Sequence, residues 1–149
     1  MSSWPPGLRA FVREFNIKTV VYKGRLYLEM YKAVDENFTP SSLAKERKGW
    51  EEWARWAMEQ PYKPGTLVNT HTYDTDRFRD CGPGLHVSTE SFARNFGDRY
   101  FTIWRLIKVW IRPKNVICVP YWTDGKIRCK ELWVVGLMDV TKPVYNLAI

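Results

Sequence analysis

Residues 100–112 read Tyr-Phe-Thr-Ile-Trp-Arg-Leu-Ile-Lys-Val-Trp-Ile-Arg, and apolar side chains occupy nearly every second position of this stretch. Successive side chains of a β-strand point to opposite faces, so this alternation predicts a long strand with one buried face. The apolar residues of that face are Phe101, Ile103, Ile107, Val109 and Ile111. The stretch therefore predicts a sheet, and the segments around it must supply the neighbouring strands and the layer that covers them.

Alternation and turn residues predict five further strands, with two or three helices between them. The strands cover residues 19–22, 25–34, 66–73, 115–122 and 126–137, and hairpin turns are predicted at Lys23-Gly24 and Asp124-Gly125. Helical spacing predicts helices over residues 8–15 and 42–58. A further short helix, capped by Ser88 or Thr89, is predicted to end near residue 96, with Gly97 as its C-terminal glycine.

The length of 149 residues predicts one domain, since globular domains run to roughly 100–200 residues. Residues 1–18 are predicted to form an N-terminal arm with a short helix, and residues 19–149 the core. The fold class predicted for residues 1–149 is α+β, a mostly antiparallel twisted sheet of about six strands with two or three helices. A hydrophobic content of 45% excludes a disordered chain.

Composition indicates a ligand that stacks and carries negative charge. The chain has 8 Trp, 8 Tyr and 7 Phe together with a net charge of +7, a combination typical of proteins that bind nucleotides or nucleic acids. Residues 101–149 hold eight Lys or Arg against three Asp or Glu, so the positive charge is concentrated in the last third. A Trp-rich core under an ordinary basic surface explains the same composition equally well.

Three cysteines without a Cys-x-x-Cys pair predict neither a disulfide framework nor a structural zinc site. No apolar run approaches the ~20 residues of a membrane-spanning helix. The sequence therefore predicts a cytoplasmic protein, in the host cytoplasm if the source is viral, with no membrane partner and no metal.

Three charges interrupt the apolar faces of predicted strands. Lys32 follows Leu28 and Met30, Arg105 lies in the quoted stretch, and Glu131 falls between Cys129 and Trp133 on alternating positions. A bare charge on an apolar face costs several kcal/mol, so each needs a partner, a wet cleft or a ligand. Two structural explanations stay open: an ion pair such as Arg105 with Glu131, and a bulge that moves the charge to the other face.

Several segments resemble an uncharacterised domain of phage and bacterial proteins, and also the C-terminal part of rIIB-like phage proteins. They are Tyr31-Lys32-Ala33-Val34, Cys81-Gly82-Pro83-Gly84-Leu85-His86-Val87-Ser88 with Phe92-Ala93, Ile107 to Pro120, and Lys126 to Val135. The resemblance covers roughly residues 26–136. It implies a phage or bacterial origin and no particular activity.

The same segments have a more distant similarity to ADP-ribosyltransferases. Tyr31 and Lys32 match the first motif of that superfamily, Gly84, His86 and Ser88 the second, and Glu131 the third. The similarity implies NAD or a related adenine or cyclic nucleotide as ligand. Lys32, Arg105 and Arg128 would then supply positive charge, while His86 contacts a ring. Glu131 would stabilise the oxocarbenium-like transition state as the nicotinamide leaves.

Departures from the motifs leave two functions open. Lysine replaces the usual His or Arg of the first motif, and histidine replaces the stacking aromatic of the second, so an active transferase and a binding-only pocket fit equally. In a phage protein, these functions would serve counter-defence, by modification of a host factor or by sequestration of a signalling nucleotide. The alternative is a non-enzymatic basic module that binds nucleic acid or a host protein through Lys108, Trp110, Arg112, Lys114, Trp122 and Lys130.

Overall fold

The computed structural model describes residues 3–40, 61–80 and 82–141 of the chain. Eight strands lie in these residues: β1 (Lys18–Tyr22), β2 (Arg25–Asp35), β3 (Leu67–Asn69), β4 (Leu85–Ser88), β5 (Trp104–Ile111), β6 (Val116–Cys118), β7 (Lys126–Cys129) and β8 (Glu131–Thr141). The same residues contain two α-helices, α1 (Leu8–Glu14) and α2 (Glu90–Tyr100), and a short 3-10 turn (Pro113–Asn115).

The first hairpin forms as the sequence predicts. Tyr22 pairs with Arg25, and the two residues between them have positive φ angles, 50° at Lys23 and 73° at Gly24. Two successive left-handed residues form the turn type that matches the twist of an antiparallel pair, and glycine adopts this conformation without steric cost. The tight turn therefore places β1 alongside the first half of β2.

All strand pairs are antiparallel, and the order of the sheet is β3-β8-β5-β2-β4-β7-β6, with β1 also on β2. Lys130 alone separates β7 from β8, and its backbone N–H donates to the carbonyl of Asn115 at 2.8 Å. Among the described residues the path of pairing is open, because β3 at one end pairs with β8 and β6 at the other end pairs with β7. We call the face of the sheet that carries the main hydrophobic core the inner face, and the opposite one the outer face.

The inner face holds the main hydrophobic core, and α2 covers a second core on the outer face. Alternate residues of β2 and β5, among them Leu28, Met30, Ile107 and Val109, are fully buried in the main core, which α1 closes with Leu8 and Phe11. The opposite sides of the same strands contribute Ala33, Trp104 and Leu106 to the second core, beneath Ala93 of α2. At its α2 end the sheet is thus buried on both faces.

Helix α2 begins as predicted and ends later than predicted. The Thr89 side chain caps it by accepting from the N–H of Phe92 at 3.2 Å. Gly97 does not terminate this helix, which continues to Tyr100. A Cβ atom on Gly97 would lie 2.3 Å from the Trp104 ring, so the glycine lets the helix approach the sheet closely.

The described residues form a single α+β domain with a mostly antiparallel sheet, but the prediction of about six strands is wrong. Residues 85–88 add a strand, and the segment predicted over residues 126–137 divides at Lys130 into β7 and β8. The helix predicted over residues 42–58 lies outside the described residues. Within the described part of the chain, no helix has the length and apolar character to cross a membrane.

Candidate functional site

Lys32 contacts the backbone of His86, and its own side chain lies on the inner face of the sheet. Lys32 shares the inner face of β2 with Met30 and Val34, and its Nζ donates to the backbone carbonyl of His86 at 2.7 Å. The ammonium group also lies 5.2 Å from the centre of the Tyr62 ring. Burial lowers the pKa of Lys32 to about 8, because removal from water disfavours the charged form.

The His86 side chain is already engaged by the protein. Its Nε2 lies 2.7 Å from the carbonyl oxygen of Gly82, an acceptor, so Nε2 carries the proton and donates. Burial, followed by the positive charges of Lys126 and Lys32, holds the pKa of His86 well below its ordinary value. A neutral histidine that donates to Gly82 fixes the turn before β4.

Arg128 is fully buried and holds a loop to the sheet. Its guanidinium donates to three backbone carbonyls, those of Asp74 at 3.1 Å, Asp76 at 2.8 Å and Arg79 at 2.6 Å. It also donates to the Cys118 sulfur at 2.8 Å. All three guanidinium nitrogens are therefore satisfied within the protein, which makes Arg128 a structural anchor.

Two further predicted ligand contacts, Tyr31 and Ser88, pair with each other in the sheet. Tyr31 packs on the outer face against the core beneath α2, and burial raises the pKa of its hydroxyl. Ser88 is buried, and its hydroxyl donates to the carbonyl of Thr89 at 2.9 Å. Both residues join β2 to β4 at the start of α2.

The last two predicted ligand contacts, Gly84 and Arg105, lie in different parts of the sheet. Gly84 has a φ of 137°, and a Cβ atom there would lie 3.2 Å from Ile117 and 3.4 Å from Arg128, so the position requires glycine. The Arg105 Nε donates to the carbonyl of Glu36 at 3.0 Å, and its guanidinium lies 4.9 Å from the Phe38 ring centre. Arg105 is satisfied at one end of the inner face.

Glu131 faces outward, contrary to strict alternation. The buried residues of β7 include Ile127 and Cys129, whereas those of β8 are Leu132 and Val134. The residues that point into the core are therefore odd-numbered in β7 and even-numbered in β8, and the change occurs at Lys130, between the two strands. The prediction that Glu131 interrupts an apolar face is therefore wrong, and the irregularity considered as an alternative accounts for it.

Glu131 opens onto a groove on the outer face, which Lys32 and His86 do not line. We call this the outer groove. Its volume is about 610 Å³. The described residues that line it come from β1, β2, β3, β5 and β8, the β1–β2 turn and the segment that follows β5: Tyr22, Lys23, Arg25, Tyr27, Leu67, Trp110, Arg112, Lys114, Asn115, Glu131, Leu132, Trp133 and Val135.

Four aromatic residues line the outer groove. The Trp110 ring centre lies 5.6 Å from that of Tyr22 and 5.5 Å from that of Tyr27, both at tilted angles. Trp133 lies directly across from Trp110 in the β5–β8 pair and is 42% exposed, and Tyr22 is 49% exposed. The outer groove thus presents aromatic faces to solvent beside a packed ring cluster.

Trp110 is fixed in place from the other side by a buried carboxylate. Its indole Nε1 donates to Glu29 at 3.2 Å. Glu29 is 7% exposed and also lies 3.7 Å from the ammonium groups of Lys18 and Lys108. This network satisfies Glu29 and orients the indole at the wall of the outer groove.

Four basic residues, Lys23, Arg25, Arg112 and Lys114, line the outer groove. The Arg112 guanidinium lies 5.8 Å from the Tyr27 ring centre. The Nε of Arg112 is buried and has no hydrogen-bond partner among the described residues, unlike the nitrogens of Arg128. Burying a donor without a partner costs free energy, so Arg112 is a cation that the protein leaves incompletely satisfied.

Sequence reasoning found part of the outer groove and missed part. Trp110, Arg112 and Lys114 were named for the basic module, and all three line it. Trp122, named with them, lies elsewhere in an exposed cluster with Phe78 and Tyr121, and Lys130 is not a lining residue.

The missed residues are Tyr22, Lys23, Arg25, Tyr27 and Trp133. For the residues of the first hairpin the signal was its polar side, where Tyr22, Arg25 and Tyr27 alternate with apolar positions. The pattern does not predict which distant strand lies beside these hairpin residues.

One comparison with known proteins gives a match. Residues amounting to 53% of this chain are 35% identical, over 83 residues, to protein rIIB of Enterobacteria phage T4. About half of the chain is similar to this phage protein. The chain spans only 25% of the length of that relative. No protein-family model and no solved structure matches the chain, so a similarity to ADP-ribosyltransferases is not shown.

Proposed function

We propose that the protein binds single-stranded nucleic acid in the outer groove. The observation that carries this proposal is the meeting of four aromatic residues and four basic residues along one groove of the sheet. Proteins that bind single strands combine a basic channel for the phosphates with aromatic rings on which bases stack. Nucleobases that are already paired and stacked in a duplex cannot use such rings.

The unsatisfied Arg112 supports an anionic ligand. Guanidinium groups donate strong hydrogen bonds to phosphate oxygens, and Arg112 lines the outer groove while its buried Nε has no partner among the described residues. The interior cations differ, because Lys32 and Arg128 donate to backbone carbonyls. The proposal therefore keeps the nucleotide chemistry expected from the sequence and assigns it to the outer face.

ADP-ribosyl transfer by Glu131 and His86 stays a prediction from the resemblance. It requires both residues to reach one ligand, whereas Glu131 lines the outer groove and the His86 ring donates to Gly82. Nothing in this arrangement supports catalysis over binding.

Fluorescence anisotropy with a labelled single-stranded oligonucleotide of about ten nucleotides tests the proposal, with Trp133→Ala as variant. Loss of one stacking platform predicts affinity lower by roughly 5- to 150-fold. Trp122→Ala is the matched control, since Trp122 is 77% exposed and lies outside the outer groove. The control variant is expected to bind within about twofold of the wild type. Equal losses in both variants, or no binding by the wild type, would contradict the proposal.

The same assay separates the polymer from smaller and paired ligands. Four basic residues predict a log–log salt slope of up to about −3 for a single strand. Duplex of the same sequence is expected to bind more weakly, and NAD or AMP to compete only at much higher concentration. Competition by NAD as effective as that of the oligonucleotide would replace the proposed ligand by a free nucleotide.

A further inference from the structure

The one carboxylate that lines the outer groove, Glu131, stands among basic residues without pairing with any that the structure describes. The described basic residues that line the outer groove are Lys23, Arg25, Arg112 and Lys114, and no described Lys or Arg lies within 4.0 Å of the Glu131 oxygens. A carboxylate repels phosphate, so Glu131 weakens the electrostatic attraction on which phosphate binding depends. A ligand atom that contacts Glu131 must therefore be a hydrogen-bond donor and not a phosphate oxygen.

The position of the carboxylate is fixed. Asn115 is buried at the end of the 3-10 turn, and its Nδ2 donates to Oε2 of Glu131 at 3.2 Å. The backbone of Glu131 pairs with Asn69 of β3. One contact on Oε2 leaves Oε1 and the second lone pair of Oε2 open to a donor from the outer groove.

An aromatic platform lies next to these acceptors. Trp133 is two residues from Glu131 on the same strand, so both side chains lie on the outer face. A base stacked on the Trp133 indole would present its edge toward the Glu131 carboxylate. Ionised carboxylates only accept hydrogen bonds, so this edge must carry donors.

Guanine is the base that meets this requirement. Its Watson–Crick edge carries two adjacent donors, N1–H and the 2-amino group, which match the two oxygens of a carboxylate. Adenine and cytosine place a ring acceptor beside their single amino donor, and thymine and uracil flank one N–H with two carbonyls. The acceptors of those bases would face the Glu131 oxygens and be repelled.

We propose that Glu131, oriented by Asn115 and adjacent to the Trp133 platform, recognises the Watson–Crick edge of an unpaired guanine. This inference rests on the proposed single-strand binding and adds base identity to it. Arg112, Lys114 and the other basic residues of the outer groove then hold the phosphates without regard to sequence.

Anisotropy with three oligonucleotides of identical length tests this inference. One consists of thymine only, one carries a single central guanine, and one carries hypoxanthine in its place, which lacks the 2-amino donor. The wild type is expected to bind the guanine oligonucleotide roughly tenfold more tightly than the thymine one. The hypoxanthine oligonucleotide is expected to lose most of that gain.

Glu131→Gln is the decisive variant. Glutamine keeps an acceptor oxygen for Asn115, so the fold is retained, and coincident unfolding curves check this. The variant is expected to bind all three oligonucleotides within about twofold of one another, and the thymine one as tightly as the wild type or more tightly, because a negative charge is removed.

Three outcomes would contradict different parts of the two proposals. Wild-type binding without preference, with Glu131→Gln raising all three affinities equally, overturns guanine recognition and leaves single-strand binding standing. Absence of any binding by the wild type overturns the proposed function itself. Free GMP that competes as strongly as the guanine oligonucleotide, with AMP inactive, supports guanine recognition and overturns the polymer as the ligand.

Discussion

Arg128 and Arg112 belong to the same sheet and have opposite surroundings. Arg128 is fully buried, and all three of its nitrogens donate to carbonyls of the 74–79 loop or to Cys118. Arg112 lines the outer groove, and its Nε has no partner among the described residues. The two arginines thus differ in how far the protein satisfies their hydrogen bonds: Arg128 holds the 74–79 loop to the sheet, whereas Arg112 keeps an unpartnered Nε beside the outer groove.

Lys32, His86 and Arg128 differ from the outer groove in the same way as these two arginines differ from each other. The hydrogen bonds of these three side chains are met by backbone carbonyls, so the three residues have structural roles. The outer groove instead presents rings and cations that face solvent. Three experiments can break or sharpen this distinction.

The largest effect is expected for Arg128→Met. Methionine fills much of the space but leaves the carbonyls of Asp74, Asp76 and Arg79 without their donor, and unsatisfied buried acceptors are costly. The free energy of unfolding in urea is expected to fall by about 3 kcal/mol. A loss below about 1 kcal/mol would show that the 74–79 loop does not depend on Arg128, which would remove the basis for the comparison.

The next effect concerns the buried ammonium group and pH. Lys32 has a pKa of about 8 in the folded protein against 10.5 in the unfolded chain, so between these values the unfolded state binds more protons. Stability contributed through Lys32 therefore rises as pH increases from 8 to 10.5, by up to about 3 kcal/mol. Below pH 8 the buried charge is a constant cost.

Lys32→Met isolates this pH dependence. The difference in unfolding free energy between wild type and variant is expected to move in favour of the wild type as pH rises through this window, measured by urea unfolding at several pH values. Cys129, whose pKa burial raises to about 12, and Tyr62, whose pKa burial also raises, stay neutral there. Parallel curves for both proteins would show that Lys32 is solvated rather than buried.

The smallest effect on stability is expected for Arg112→Met. Removing a cation whose Nε lacks a partner is predicted to change the unfolding free energy by no more than about 0.5 kcal/mol. Oligonucleotide binding should nevertheless weaken, with the log–log salt slope reduced by about 0.7 through loss of one phosphate contact. Strong destabilisation with unchanged binding would place Arg112 in the same structural class as Arg128.

Local sequence features predicted the elements that depend on near neighbours in the chain. The Lys23-Gly24 turn, the Thr89 cap and the strand over residues 104–111 formed because turn geometry, capping and alternation act over a few residues.

The position of Glu131 could not be predicted in this way. Alternation assigned it to an apolar face, and the inward set changes at Lys130, where the N–H bonds to Asn115, which is 15 residues away in the chain. A break in alternation depends on contacts with residues of other strands, and these contacts cannot be read from the sequence of one strand. The Gly97 prediction failed for the same reason, since its role is set by the Trp104 ring.

The sequence by itself determined that the protein is aromatic and basic, that its sheet is antiparallel, and that its positive charge lies mostly after residue 100. Only the tertiary structure decided which charged side chains form hydrogen bonds within the fold and which line the outer groove. Arg105, Arg112 and Arg128 look alike in the sequence, because each lies in or beside a predicted strand. The carbonyls to which Arg105 and Arg128 donate belong to distant segments of the chain, so the distinction exists only after the chain has folded.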